Sequence, residues 1–357
     1  MGAAVQPDSG FMEKILFLAH TEPDGGLAQA ALEALHGAKA LCDELKGASL
    51  EAGLVGAQTQ PAADTVGGIG VARVFVVTGG EFAAARYASD AVAAEAIART
   101  TGATIVVAAA TSRWNRVLPA VACRLGGRAD AHVAGVQVRA GALTVSRWYY
   151  RQRMEARLSR AQRPWFLLLD PGGQPPWQGT PTPTNVEALT VPVPESCRRT
   201  QVTGIRAPAT YTQTIRPDAE LLFVAGAGWT KKQGDGQTHG ADAERLILEF
   251  LRLSRASLGS SKSLVDLSGE GQTVLSFLSH LNQVGQTGST PRHPKGLATC
   301  CHGEEPHTVG WRFVGQRRAI NLDPNCGWAR GKADVLYAAD AFAVMARVNS
   351  LLGAGGR

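Results

Sequence analysis

Along the first third of the chain, apolar residues fall either into short unbroken runs or into longer segments where they recur every three or four positions. Ile15–Ala19 is a run of the first kind and predicts a buried strand. Leu27–Leu45 places Ala31, Leu32, Leu35, Ala38, Leu41, Cys42 and Leu45 at helical spacing, so one face can pack on that strand. Val74–Val77 precedes a predicted helix through Ala91–Arg99, and Ile105–Ala109 precedes another near Val117–Leu125. From Lys14 to Val136 this alternation predicts a doubly wound, Rossmann-like α/β domain built on a mainly parallel sheet with helices on both faces.

Prolines then gather between Pro164 and Pro217. Because proline interrupts helices and central strands, this region is expected to supply edge strands and loops that close the first domain. The α/β pattern restarts at Leu221. Leu221–Ala225 predicts a strand, Ala241–Leu253 a helix buried through Leu246, Ile247, Phe250 and Leu251, Thr273–Leu281 a further helix, Ala319–Asn321 a strand and Asp340–Leu352 a final helix. The expected organisation is an α/β domain over residues 12–205, a linker at 206–217 and a second α/β domain at 218–357.

Composition adds bounds. A chain of 357 residues with 45% hydrophobic and 18% charged positions suits two folded domains. The net charge of +6 comes from dispersed Lys and Arg, which disfavours a nucleic-acid stripe. Their densest group, Arg147–Arg163, reads as a solvated face between two strands, or else as a surface for an acidic partner. Six cysteines show no CxxC or paired spacing, and no run approaches the roughly 18 apolar residues of a spanning helix. The expectation is a reduced, cytoplasmic protein.

Three segments carry candidate chemistry. Gly226-Ala227-Gly228 directly follows a predicted strand, where glycines let a backbone approach a diphosphate, but the third glycine of a dinucleotide fingerprint is missing. Val284-Gly285-Gln286-Thr287-Gly288 concentrates backbone donors, an amide and a hydroxyl in one loop, suited to phosphate or a polar ring edge. Cys300-Cys301-His302-Gly303-Glu304-Glu305-Pro306-His307 invites a metal, yet adjacent cysteines chelate one tetrahedral ion poorly. A strand end entering a helix at Glu304, its N-terminus open to an anion, is the better reading. His20, His36, His132 and His239 show no sequence partner.

In order, these segments resemble the α subunit of electron-transfer flavoproteins. Gln283-Val284-Gly285-Gln286-Thr287-Gly288 matches the family's flavin loop. Gly259-Ser260-Ser261-Lys262-Ser263-Leu264-Val265-Asp266 is similar to its Gly-Ala-Ser-Arg-Ala-Ala-Val-Asp, Gly303 through His307 to its Gly-Ala-Ile-Gln-His, and Ala319–Pro324 to its Ala-Ile-Asn-Lys-Asp-Pro. Ala333-Asp334 matches its Ala-Asp pair, and Phe17–His20 with Gly26–Ala28 its opening strand and helix. The resemblance implies that FAD lies against Gly226, Gly228, Ser261, Lys262, Gln283, Val284, Gly285, Gln286, Thr287, Gly288, His302, Gly303, Glu304 and His307, with Asn321 and Asp334 on the adenosine half. It further implies an electron carrier without its own substrate or catalytic residues. Its expected partners are a β subunit holding AMP, a primary dehydrogenase and a quinone reductase or similar acceptor.

Two departures stand out. Ala227 replaces the family's arginine near the pyrophosphate, and Lys262 replaces the arginine beside the flavin ring, keeping charge without the planar fork. A flavin- or nicotinamide-dependent oxidoreductase and a flavin-free structural subunit stay open as alternatives.

Overall fold

The computed structural model describes residues 12–139, 141–149, 154–204, 215–216, 219–266, 275–285, 292–299, 311 and 314–355. The chain divides into two compact units, Met1–Ile205 and Arg206–Arg357.

The first unit is a mixed, mainly parallel sheet of nine strands. In chain order these are β1 (Lys14–His20), β2 (Ser49–Gly56), β3 (Val74–Thr78), β4 (Ile105–Ala109), β5 (Arg128–Arg139), β6 (Ala142–Tyr149), β7 (Met154–Leu158), β8 (Trp165–Leu169) and β9 (Glu187–Ala188). Their spatial order is β7-β6-β5-β8-β4-β1-β2-β3-β9. The helices α1 (Gln29–Glu44) and α2 (Gln60–Gly67) cover one face, where Leu35, Leu41 and Val66 meet Ile15, Phe17 and Leu54. On the other face α3 (Tyr87–Thr101) and α4 (Ser112–Arg124) bury Ile97, Trp114 and Val121 against Leu16, Leu18 and Phe75. Burial on both faces explains why the strands read as unbroken apolar runs.

One sequence expectation is corrected and another refined. Trp165–Leu169 is a central strand, parallel to β4 and β5, rather than an edge; Pro164 stands just before it, where a missing N–H breaks no ladder bond within it. β2, whose apolar run is interrupted by Glu51, Gly53 and Gly56, pairs with β1 from Ser49 to Val55. The described part of Arg147–Arg163 is more than a solvated face, because it contributes the end of β6 and all of β7, an antiparallel extension of the sheet. Its cations hold carboxylates: Arg147 and Arg160 both bond the fully buried Asp130, at 2.9 and 2.6 Å, and Arg163 bonds Glu13.

The second unit is a five-stranded parallel sheet of β10 (Leu221–Ala225), β11 (Ser257–Ser260), β12 (His293–Thr299), β13 (Val314–Asn321) and β14 (Val335–Ala338), in the order β11-β10-β12-β13-β14. Phe223 and Ala225 face α5 (Gly240–Ser254) and the final helix, Ala341–Gly355, while Leu222 and Val224 face Val284, Trp311 and Ala329. Short helices α6 (Lys262–Asp266) and α7 (Gly327–Lys332) complete this unit among the described residues, and the final helix is α8. The helix expected over Thr273–Leu281 is absent from its described part: residues 275–279 are irregular and His280–Asn282 form one 3₁₀ turn capped by Ser279.

Candidate functional site

In an open parallel sheet, ligands bind outside the strand exits, near the point where the chain reverses its winding direction. In the second unit that point lies between β10 and β12. The glycine turn leaves β10 here, but it is buried and internally bonded. Gly226 donates its N–H to Thr299 O at 2.9 Å, and Ala227–Thr230 curl into a 3₁₀ turn. Trp229, fully buried, reaches across the exits to bond Thr299 Oγ1 at 2.8 Å. Gly226 and Gly228 therefore shape the turn, and the Gly226 amide is engaged within the sheet.

Ser261 follows β11. Its N–H bonds Ala225 O, and its hydroxyl accepts from Leu264 N at 3.3 Å, capping α6. Lys262 is half exposed and paired one helical turn on with Asp266, Nζ to Oδ2 2.8 Å, a bond that raises the ammonium's pKa. The cation expected at this position is therefore shared with Asp266. Gln283 and Val284 run parallel to the end of β11, with Val284 N bonding Ser260 O at 3.0 Å. Val284 is fully buried and packs in the core beneath Gly259, where a Cβ would lie 2.5 Å from Val284 Cγ2. Only its backbone is available to a ligand. Gly285 takes φ +125, a conformation that favours glycine. The Ser260 hydroxyl is buried at the same exit with no hydrogen-bond partner among the described residues. Gln286, Thr287, Gly288, His302, Gly303, Glu304 and His307 lie outside the described residues.

Asn321 ends β13, is nearly buried, and turns the chain by accepting Asp323 N at 3.1 Å. Asp334 does not share its site. It precedes β14 and bonds the Arg317 N–H and guanidinium, at 2.6 and 2.9 Å, four residues before the β13 exit. At the usual strand rise that separation is about 13 Å. Asp340, which follows the β14 exit, is the acid at the Asn321 end of the strands.

It lines a cavity of about 540 Å³ bounded by Gln233, Gly234, His239, Asp242, Arg245, Leu322, Asp340 and Phe342. This volume falls within the range of small-molecule sites. A hairpin around Gly234–Gly236 forms one wall, with Lys232 bridging Thr238 and Gln233 N bonding Gln237 O at 2.8 Å. Gln233 Nε2 ties it to Gly228 O at 3.0 Å, so this wall hangs from the glycine turn. Asp340 caps α8 through Phe342 N and Ala343 N. Phe342 stacks on Trp229, ring centroids 4.6 Å apart. An apolar ring wall, a carboxylate and an amide fit a heteroaromatic ring carrying hydroxyls.

None of these lining residues was singled out for the site by sequence, and His239 was read as partnerless. It bonds Asp235 at 2.7 Å. His132 likewise faces Asp170 at 3.4 Å. His20, at the β1 exit of the first unit, meets Thr111 Oγ1 at 3.4 Å and stacks against Trp114; burial and the Arg113 charge push its pKa down to about 4. Arg113 in turn grips the fully buried Asp90 through two bonds, 2.8 and 2.6 Å. Among the described residues, no group of three His, Cys, Asp or Glu side chains is placed to hold a metal ion.

A model of the electron transfer flavoprotein domain matches residues 15–196, just over half of the chain. The chain belongs to that family. Its members carry electrons by way of a bound flavin. The match falls in the nine-stranded unit, whereas the flavin-loop resemblance and the cavity fall in the five-stranded one. No curated protein matches the chain. Among the described residues, no helix of this electron transfer flavoprotein family member is long and apolar enough to cross a membrane.

Proposed function

We propose that this chain is the α-type subunit of a two-subunit electron-transfer flavoprotein, holding FAD in residues 218–357 and pairing through residues 12–205 with a β subunit that carries AMP. The linker is 206–217. The observation that carries the reading is the conjunction of an electron transfer flavoprotein domain in the first unit with a second doubly wound unit whose strand exits bear the flavin-loop resemblance and a nucleoside-sized cavity. Bound FAD would supply the redox chemistry, taking electrons from a primary dehydrogenase and yielding them to a quinone reductase or similar acceptor in the cytoplasm. The chain's own residues bind and orient. Asn321 and Asp340 hold the adenosine half in the cavity, with Phe342 against the ring. The backbone of Val284 and Gly285 leads into Gln286, Thr287 and Gly288, which together with His307 meet the flavin end. Ser261 and Lys262 flank that end, and Asp266 reduces the field that Lys262 projects onto it.

A flavin-free structural subunit is the second reading, supported by one observation: Ala227, where the resemblance calls for an arginine, is fully buried. Flavin analysis of the chain co-expressed with its β partner separates the two. One FAD per heterodimer supports the carrier, and none after incubation with excess FAD supports the structural subunit.

A further inference from the structure

The hairpin wall of the cavity is joined to α5 by one side chain among the described contacts, that of His239. Its Nε2 lies 2.7 Å from Asp235 Oδ2 on the hairpin, and its Nδ1 lies 3.9 Å from Asp242 Oδ2 in the first turn of α5. The ring also meets Phe342 edge-on, centroids 6.2 Å apart, so His239 touches hairpin, helix and the aromatic wall together. A neutral imidazole has one N–H and serves one carboxylate, whereas an imidazolium donates from both nitrogens and carries a charge to both.

We propose that His239 is a positioning residue for the cavity, and that proton uptake by its ring fastens the hairpin to α5 and tightens adenosine binding. This rests on the reading of the cavity as the adenosine site. The charged groups that contact the ring or line the cavity with it are Asp235 of the hairpin, Asp242 and Arg245 of α5, and Asp340 before α8. The two nearest are carboxylates. Arg245 shares Asp242, at 3.1 Å, which limits the effect. A clamp of this exposure changes affinity by about two- to fivefold.

The test uses the full-length chain freed of bound flavin, with ADP as the calorimetric probe between about pH 6 and about pH 8, the range in which an imidazole titrates. The parent should bind ADP about two- to fivefold more tightly at the acid end. His239→Gln and Asp235→Asn should each bind ADP with an affinity that does not differ between the two ends. In parallel, amide exchange of residues 231–239 without ligand, corrected for intrinsic rates, should show greater protection at the acid end in the parent alone. A pH dependence retained in His239→Gln, or hairpin protection insensitive to pH in the parent, would overturn the proposal. A pH-dependent hairpin in a protein that binds no ADP would keep the clamp and reject the adenosine reading on which its role depends.

Discussion

Asp334 and Asn321 lie on neighbouring strands but at opposite ends: the carboxylate pairs with Arg317 where β14 begins, and the amide turns the chain where β13 ends. The two therefore have different consequences. Asp340→Asn, which retains a capping side chain for α8, should weaken FAD binding about tenfold by removing a charged hydrogen-bond acceptor. Asp334→Asn should leave it unchanged. Fluorescence titration of released and rebound FAD reads both variants, and equal losses would return Asp334 to the site.

Gly259 transmits the core to the flavin loop. A methyl group there would fall 2.5 Å from Val284 Cγ2, so Gly259→Ala must displace the strand-like segment that opens the loop. Overpacking of this kind costs about 1–3 kcal/mol. The variant should unfold at lower urea concentration and, when folded, retain less FAD than the parent. Full retention at unchanged stability would mean that the segment adjusts without moving the loop.

The limits of the sequence are plain at these positions. Ala-Asp flanks β14 on both sides, at Ala333-Asp334 and Ala339-Asp340, and only the register of β14 against β13 separates the two. Leu221–Ala225 was legible to the residue because a doubly covered strand is an unbroken apolar run. By contrast Arg147 on β6 and Arg160 and Arg163 beyond β7 find their partners, Asp130 and Glu13, at a distance along the chain, so a partly buried ion-pair network reads as a solvent face. The cavity wall was hidden for a similar reason. Gln233, His239 and Asp340 form no motif, and a hairpin, a helix start and a strand exit bring them together.

His20 links the first unit's stability to pH. Burial and Arg113 hold its folded pKa at about 4, below the ordinary 6.5, so the unfolded chain takes up a proton first on acidification. Its contribution is complete above about pH 6.5, erodes as pH falls toward about 4, and reaches about 3 kcal/mol of lost stability at most. His20→Gln should flatten this part of the profile in urea unfolding followed across that window. Parallel profiles for parent and variant would contradict it.

Asp130 is the pivot of the antiparallel extension. Although burial works against its charge, bonds from Arg160, Trp165 and Arg147 outweigh it and hold the carboxyl below its usual range. Asp130→Asn leaves two guanidinium groups without their anion and should cost about 2–4 kcal/mol, the upper part of the range for a broken buried pair being reduced by the partial exposure of both arginines. Denaturant unfolding at neutral pH measures it, and a loss within experimental error would show that the arginines find other partners.

The central claim is that the five-stranded unit holds FAD, and the most direct measurement is the flavin content of the full-length chain co-purified with its β partner. Visible absorption together with chromatographic identification of the extracted cofactor gives stoichiometry and identity at once. One FAD should be bound through this chain, bleached on reduction and held less tightly in Asp340→Asn than in the parent. A colourless complex that takes up no FAD when supplied in excess, or one that takes FMN equally well, would contradict it.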